Sequence, residues 1–133
     1  MDPVVLDTDV ASLRFKSQLP VQMFARLAGR RPLITFVTLA ELTKWTDLRK
    51  WGSTRRSELT HWLADMAVLP GSEDVAIAWG QISAAAIERG RPRPANDTWI
   101  AACCLVYDLP LATRNVKDFD DFVQHEGLTL ITD

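Results

Sequence analysis

Apolar residues in this chain follow two rhythms: short unbroken runs, and longer stretches where they recur every three or four positions. The runs Val4–Asp7, Leu33–Val37, Val68–Leu69, Leu111–Thr113 and Leu128–Ile131 are rich in β-branched or aliphatic side chains, and they predict short buried strands. Helical periods lie between them. A short helix is expected from Asp9 towards Phe15. A second has Pro20 in its first turn and Val21, Phe24, Ala25 and Leu27 as its apolar side, and Gly29-Arg30-Arg31-Pro32 ends it. Thr38 reads as an N-cap with Glu41 at capping-box spacing, and Leu39, Leu42 and Trp45 form a core stripe behind it. Leu59, Trp62, Leu63 and Met66 fall at i, i+3, i+4 and i+7 of the next helix. Ser72-Glu73-Asp74 opens another, with Val75, Trp79, Ile82 and Ala86 on one face and a stop at Gly90 and Pro92. The helix opening at Asn96 or Asp97 is apolar nearly all round to Tyr107, so it should be buried. A short helix over Asp118–Val123 precedes the last strand.

Short apolar strands alternating with longer helices predict a three-layer α/β/α sandwich, with a mostly parallel sheet of four or five strands. The chain has 133 residues and no internal repeat or linker, so a single domain over residues 1–133 is expected. Hydrophobic residues make up 47% and charged residues 24%, a globular balance. No apolar run approaches the roughly 20 residues needed to cross a bilayer. Met1-Asp2-Pro3 leads into the first strand without a basic or apolar signal segment, so a cytoplasmic protein is expected. Cys103 and Cys104 are adjacent in a helical segment and point about 100° apart, which offers neither a mutual disulfide nor a metal pair.

The candidate chemistry lies in four acids. Asp7 ends the first strand, Glu41 and Asp118 follow two others by a few residues, and Asp97 opens the buried helix. Each has a local explanation: Asp7 or Asp9 as a cap, Glu41 in the capping box or paired with Lys44, Asp97 as a charge at a helix start, and Asp118 as the cap of a helix beginning at Phe119. Together they fit something else. Sites in parallel α/β sheets lie outside the carboxyl ends of the strands. Carboxylates gathered there repel one another unless a cation neutralises them. Oxygen-only ligands select a hard ion, Mg²⁺ or Mn²⁺, and such a centre suits in-line phosphoryl displacement by water.

The segments Leu6-Asp7-Thr8-Asp9, Val37-Thr38-Leu39-Ala40-Glu41-Leu42, Asn96-Asp97-Thr98-Trp99-Ile100-Ala101-Ala102 and Thr113-Arg114-Asn115-Val116-Lys117-Asp118-Phe119 resemble the four motifs of PIN-domain ribonucleases, and more narrowly the VapC toxins, including their FitB-like branch. The resemblance implies an acidic pocket of Asp7, Glu41, Asp97 and Asp118 that binds Mg²⁺, with Mn²⁺ able to substitute. Asp7 and Asp97 are its surest ligands, and Glu41 positions or deprotonates the attacking water. Asn115 is an alternative to Asp118, and Thr8 and Thr113 are candidates for hydrogen bonds behind the ligands. The resemblance further implies an RNA substrate, a homodimer, and a cognate VapB-type antitoxin whose C-terminal segment covers the pocket. Some apolar surface within Leu33–Trp62 is expected to be interface. Position 9, commonly Asn in the family, is Asp here.

Net charge is −2 and the pI is about 5.6, so no global field attracts RNA, and any phosphate contact must be local. Arg91 and Arg93 (with Arg89) in the loop before Asp97, and Arg114 and Lys117 beside Asp118, are the candidates; a solvated surface explains them equally well. The five tryptophans sit mostly on apolar helical faces and are expected in the core or at a dimer contact. His61 and His125 are expected at the surface. Two rival readings remain. Val4-Val5-Leu6-Asp7-Thr8-Asp9-Val10 also resembles the first motif of haloacid-dehalogenase-type phosphatases, though no Lys and no later acid pair are suitably placed. A non-catalytic PIN-like binding module is the other.

Overall fold

The chain begins in the middle of its own sheet. In the structure, a computed structural model describing Asp2–Asp133, β1 (Pro3–Leu6) pairs on one side with β2 (Arg31–Thr35) and on the other with β4 (Leu111–Ala112). β3 (Ala67–Leu69) and β5 (Leu130–Ile131) extend the two flanks, giving five parallel strands in the order β3-β2-β1-β4-β5. The chain therefore winds outward on one side and then returns across β1 to the other. That reversal opens a crevice at the carboxyl ends of β1 and β4, where Asp7 and Thr113 stand side by side.

Alternation along each strand feeds two cores. Val5 and Leu111 face one side, packed beneath α5 (Glu73–Glu88), α6 (Ala95–Val106) and α7 (Val116–Glu126). Val4, Leu6, Ile34 and Ala112 face the other, under α1 (Thr8–Phe15), α2 (Val21–Leu27), α3 (Phe36–Leu48) and α4 (Ser53–Ala64). The three layers match the expected sandwich. α6 runs through the first core with Ile100–Cys104 all buried, and burial pushes the Cys103 thiol up to about 11. No helix among the described residues is long and apolar enough to cross a membrane.

Three expectations need correction. The second strand ends at Thr35, and the helix begins at Phe36. Thr35, extended at φ −89° and ψ 164°, accepts from the Thr38 amide at 3.2 Å, so Thr35 is the N-cap. The run Ile34–Thr38, β-branched except for the aromatic Phe36, reads as strand by propensity, but the cap overrides it. On α2, only Leu27 of the expected apolar side is buried, and Met23 joins it in the core, while Val21 and Phe24 are 84% and 65% exposed. Finally, α7 is longer than expected and stops at Gly127, which takes the left-handed conformation (φ 77°) that a side chain resists.

Candidate functional site

Asp7 is the innermost acid. It follows β1 at the switch point, caps α1 by accepting from the Val10 amide at 2.8 Å, and is only 3% exposed. Its other oxygen accepts from the Thr113 hydroxyl, which itself accepts from the Asn115 amide. Burial lifts its carboxyl from the ordinary 3.8 to about 6. The two hydrogen bonds pull the other way, and Asp9 and Asp97 push it further up. Asp97, half-buried in the first turn of α6, also rises to about 6 through burial and then repulsion from Asp118 and Glu41.

A hydroxyl relay fixes Glu41. The Thr8 hydroxyl donates to Glu41 Oε1 at 2.7 Å and lies 3.0 Å from the Thr38 hydroxyl. Thr8 has one proton, already given to Glu41, so Thr38 donates to Thr8. The capping-box role expected of Thr38 and Glu41 is replaced by this chain, with Thr35 taking the cap. Sequence reasoning missed Thr38 here, because a hydroxyl one helical turn before an acid reads first as a cap.

Asp97 thus links the acids electrostatically: it feels the charges of Asp118 and Glu41, and Asp7 feels that of Asp97. They are not a finished cage: among the described residues no three His, Cys, Asp or Glu side chains are arranged to hold one ion. Like charges explain this. Uncompensated oxygens stay apart, and Asp7 and Glu41 are held by hydroxyl and amide donors instead. The donor set, all oxygen with surplus negative charge, fits a hard divalent cation and does not suit zinc. Asp118 is exposed at the start of α7, and it is the neighbouring charge that raises Asp97 most. Asn115 is exposed and contributes through its backbone amide to Thr113.

The basic residues separate into two kinds. Arg91 and Lys117 are exposed and line, with Asp97 and Asp118, an open depression of about 240 Å³. Arg114 lies 3.3 Å from Asp133, at the surface. Arg93 does not offer a free charge to a phosphate, contrary to expectation. Its side chain is 7% exposed, pairs with Asp121 at 2.7 Å and Glu126 at 2.6 Å, and lies over the Phe122 ring at 4.0 Å. These contacts, 28 and 33 residues away in sequence, clamp the loop before α6 to α7, and so fix Asp97 relative to Asp118. Arg93→Met is expected to cost about 2 kcal/mol in urea unfolding, because Asp121 and Glu126 lose their nearest guanidinium and keep only Arg89, at 3.7 and 4.0 Å, with His125 beside Asp121. An unchanged midpoint would remove the clamp from the account.

Comparison with known proteins agrees with this fold. The family model for the PIN domain matches residues 4–123. Ribonuclease VapC5 of Mycobacterium tuberculosis is 33% identical over 129 residues, covering 92% of this chain and 87% of that protein. Among solved structures, VapBC-5 of M. tuberculosis, a member of the VapBC family of toxin–antitoxin systems, superposes with a TM-score of 0.75 and 32% identity, covering all of both chains. FitAcB of Neisseria gonorrhoeae gives a TM-score of 0.78 at 25% identity over 96% of each chain.

Proposed function

Since this chain belongs to the PIN-domain family and, within it, to the VapC ribonucleases, we propose that it is the toxin of a toxin–antitoxin pair, an endoribonuclease that hydrolyses RNA phosphodiester bonds with Mg²⁺ or, in its place, Mn²⁺. The observation that carries this reading is that Asp97 feels the charges of Asp118 and Glu41, and Asp7 that of Asp97, with Asp7 and Asp97 both lifted to about 6. Acids so placed weaken a fold unless a cation joins them, and a surplus of charge at a sheet switch point is the arrangement phosphoryl chemistry uses.

Asp7 and Asp97 would hold the ion, with Asp118 as the outer oxygen donor. A divalent cation there supplies an acidified water and a positive charge for the leaving oxygen. Glu41, oriented by Thr8, takes the proton of the attacking water. Thr113 holds one oxygen of Asp7 and the Val10 amide the other, so the carboxylate would be oriented before any ion arrives. Arg91 and Lys117 accept the phosphates of the strand beside the cut.

The partners follow from the same reading. A VapB-type antitoxin would lay its C-terminal segment over the crevice, where an Arg suits the charge. The toxin is a homodimer in the cytoplasm, built as one PIN domain. Apolar surface for those contacts exists: Leu48 within the expected Leu33–Trp62 region is 67% exposed, and Val21 and Phe24 on α2 add a second patch. Induced production of this chain in a bacterium should halt growth and leave fragmented RNA, while Asp97→Asn should do neither. Growth arrest by both proteins, without RNA fragments, would sink the reading.

A further inference from the structure

A second depression lies on the other side of Glu41. Phe36, Glu41, Lys44, Trp45, Asn96 and Trp99 border about 270 Å³ of open space between the first turns of α3 and α6. Its aromatic wall is braced. Trp99 stacks on Trp79 with centroids 4.9 Å apart, and the Trp79 indole N–H donates to the Ala95 carbonyl at 3.2 Å. Phe36 meets Trp99 edge-on at 5.7 Å. Behind Phe36 stands Gly71, where a Cβ would come within 2.9 Å of the ring, so the bare glycine backbone is what admits Phe36.

Two of its polar members are unspent. Lys44 and Asn96 are exposed, and neither side chain has a hydrogen-bond or ion-pair partner among the described residues. We propose that this depression is a nucleobase subsite: a base next to the cleaved phosphodiester lies against the Phe36–Trp99 wall, the Asn96 amide bonds its edge, and Lys44 holds the adjoining phosphate. The proposal rests on the ribonuclease reading and extends it. The pocket is lined by Glu41, one of the candidate acids, and by Asn96, the neighbour of Asp97, so it adjoins the acids a strand would cross. Arg91 and Lys117 supply cations on one side of Asp97 and Lys44 supplies one on the other, which suits a polyanion crossing the site. Aromatic faces accept any base, while an amide discriminates between edges.

The probe is a labelled pool of short single-stranded RNAs of random sequence, cleaved in Mn²⁺ by the wild type, Lys44→Ala and Asn96→Ala. Both positions are exposed, so neither variant threatens the fold. Each should raise KM about tenfold with kcat within about twofold, and Asn96→Ala should also change the base preferred at the cut. Binding of the same pool is measured in parallel on the Asp97→Asn background, where cleavage is expected to be slower by about a thousandfold or more. There the two substitutions should weaken affinity by the same factor, Trp99→Leu should weaken it too, and Trp99→Phe should restore it. Unchanged KM, affinity and cut pattern overturn the subsite while leaving the ribonuclease standing. If sedimentation shows a dimer lost with RNA affinity intact, the face belongs to a contact between copies and the proposal falls. If the wild type cuts no RNA, the ribonuclease reading fails, and the binding measurements alone uphold or overturn the subsite.

Discussion

Asp97→Asn is expected to slow RNA cleavage about a thousandfold or more, equivalent to ~4 kcal/mol of transition-state stabilisation, and at the same time to make the metal-free protein more stable at pH 7. Opposite signs for activity and stability are what a binding acid produces. Asp97 is raised to about 6 by burial and by the charges of Asp118 and Glu41, so its ionised form is a burden on the fold. Asparagine keeps the shape and the place in the first turn of α6 but removes both the charge and a ligand. Cleavage rates and thermal unfolding in EDTA, measured on one preparation, check the pair. A variant that is inactive because it is unfolded fails the second half, and a variant that still cuts fails the first.

The second large effect concerns pH and metal together. Asp7 and Asp97 both titrate near 6 in the folded chain against 3.8 ordinarily, so between those values the folded state binds more protons than the unfolded one. Stability from these groups is therefore greatest near pH 4, falls as pH rises through about 6, and stays low above it. For deeply buried Asp7 alone the shift corresponds to about 3 kcal/mol. Asp121, lowered mainly by Arg93, works in the opposite sense. The difference between wild type and Asp97→Asn isolates the acidic crevice from it. In EDTA, urea unfolding should show wild type losing ground to Asp97→Asn as pH climbs from about 4 to about 6. Mn²⁺ at pH 7 should stabilise the wild type and leave the variant almost unmoved. A wild type that gains on the variant through that window contradicts the assignment.

How much of this was written in the sequence differs from residue to residue. Asp7 was legible because an acid directly after a β-branched strand has few places to go, and the alternation of strands and helices puts strand ends at one edge. Asp97 was legible through the apolar helix it opens. Thr35 and Thr38 were confused because both stand in a β-branched run and both can cap; only the backbone conformation at Thr35 decides. The Arg93 clamp left no trace, since pairing between residues so far apart has no local spacing, and an arginine in a Pro-rich loop looks solvated until α7 packs against it. The face of α2 was misjudged for a different reason. Periodicity locates an apolar stripe but not what covers it, and Val21 and Phe24 lie open here.

The most direct test of the central claim, that these acids hold a divalent ion for RNA cleavage, is a cleavage assay on total cellular RNA with the purified protein. Mg²⁺ or Mn²⁺ is added, withdrawn with EDTA and restored, with Asp97→Asn run alongside. Discrete fragments that appear with the ion, stop on chelation, resume on its return and never form with Asp97→Asn are the expected result. Cleavage that continues in EDTA, or that Asp97→Asn performs as well as the wild type, would contradict it.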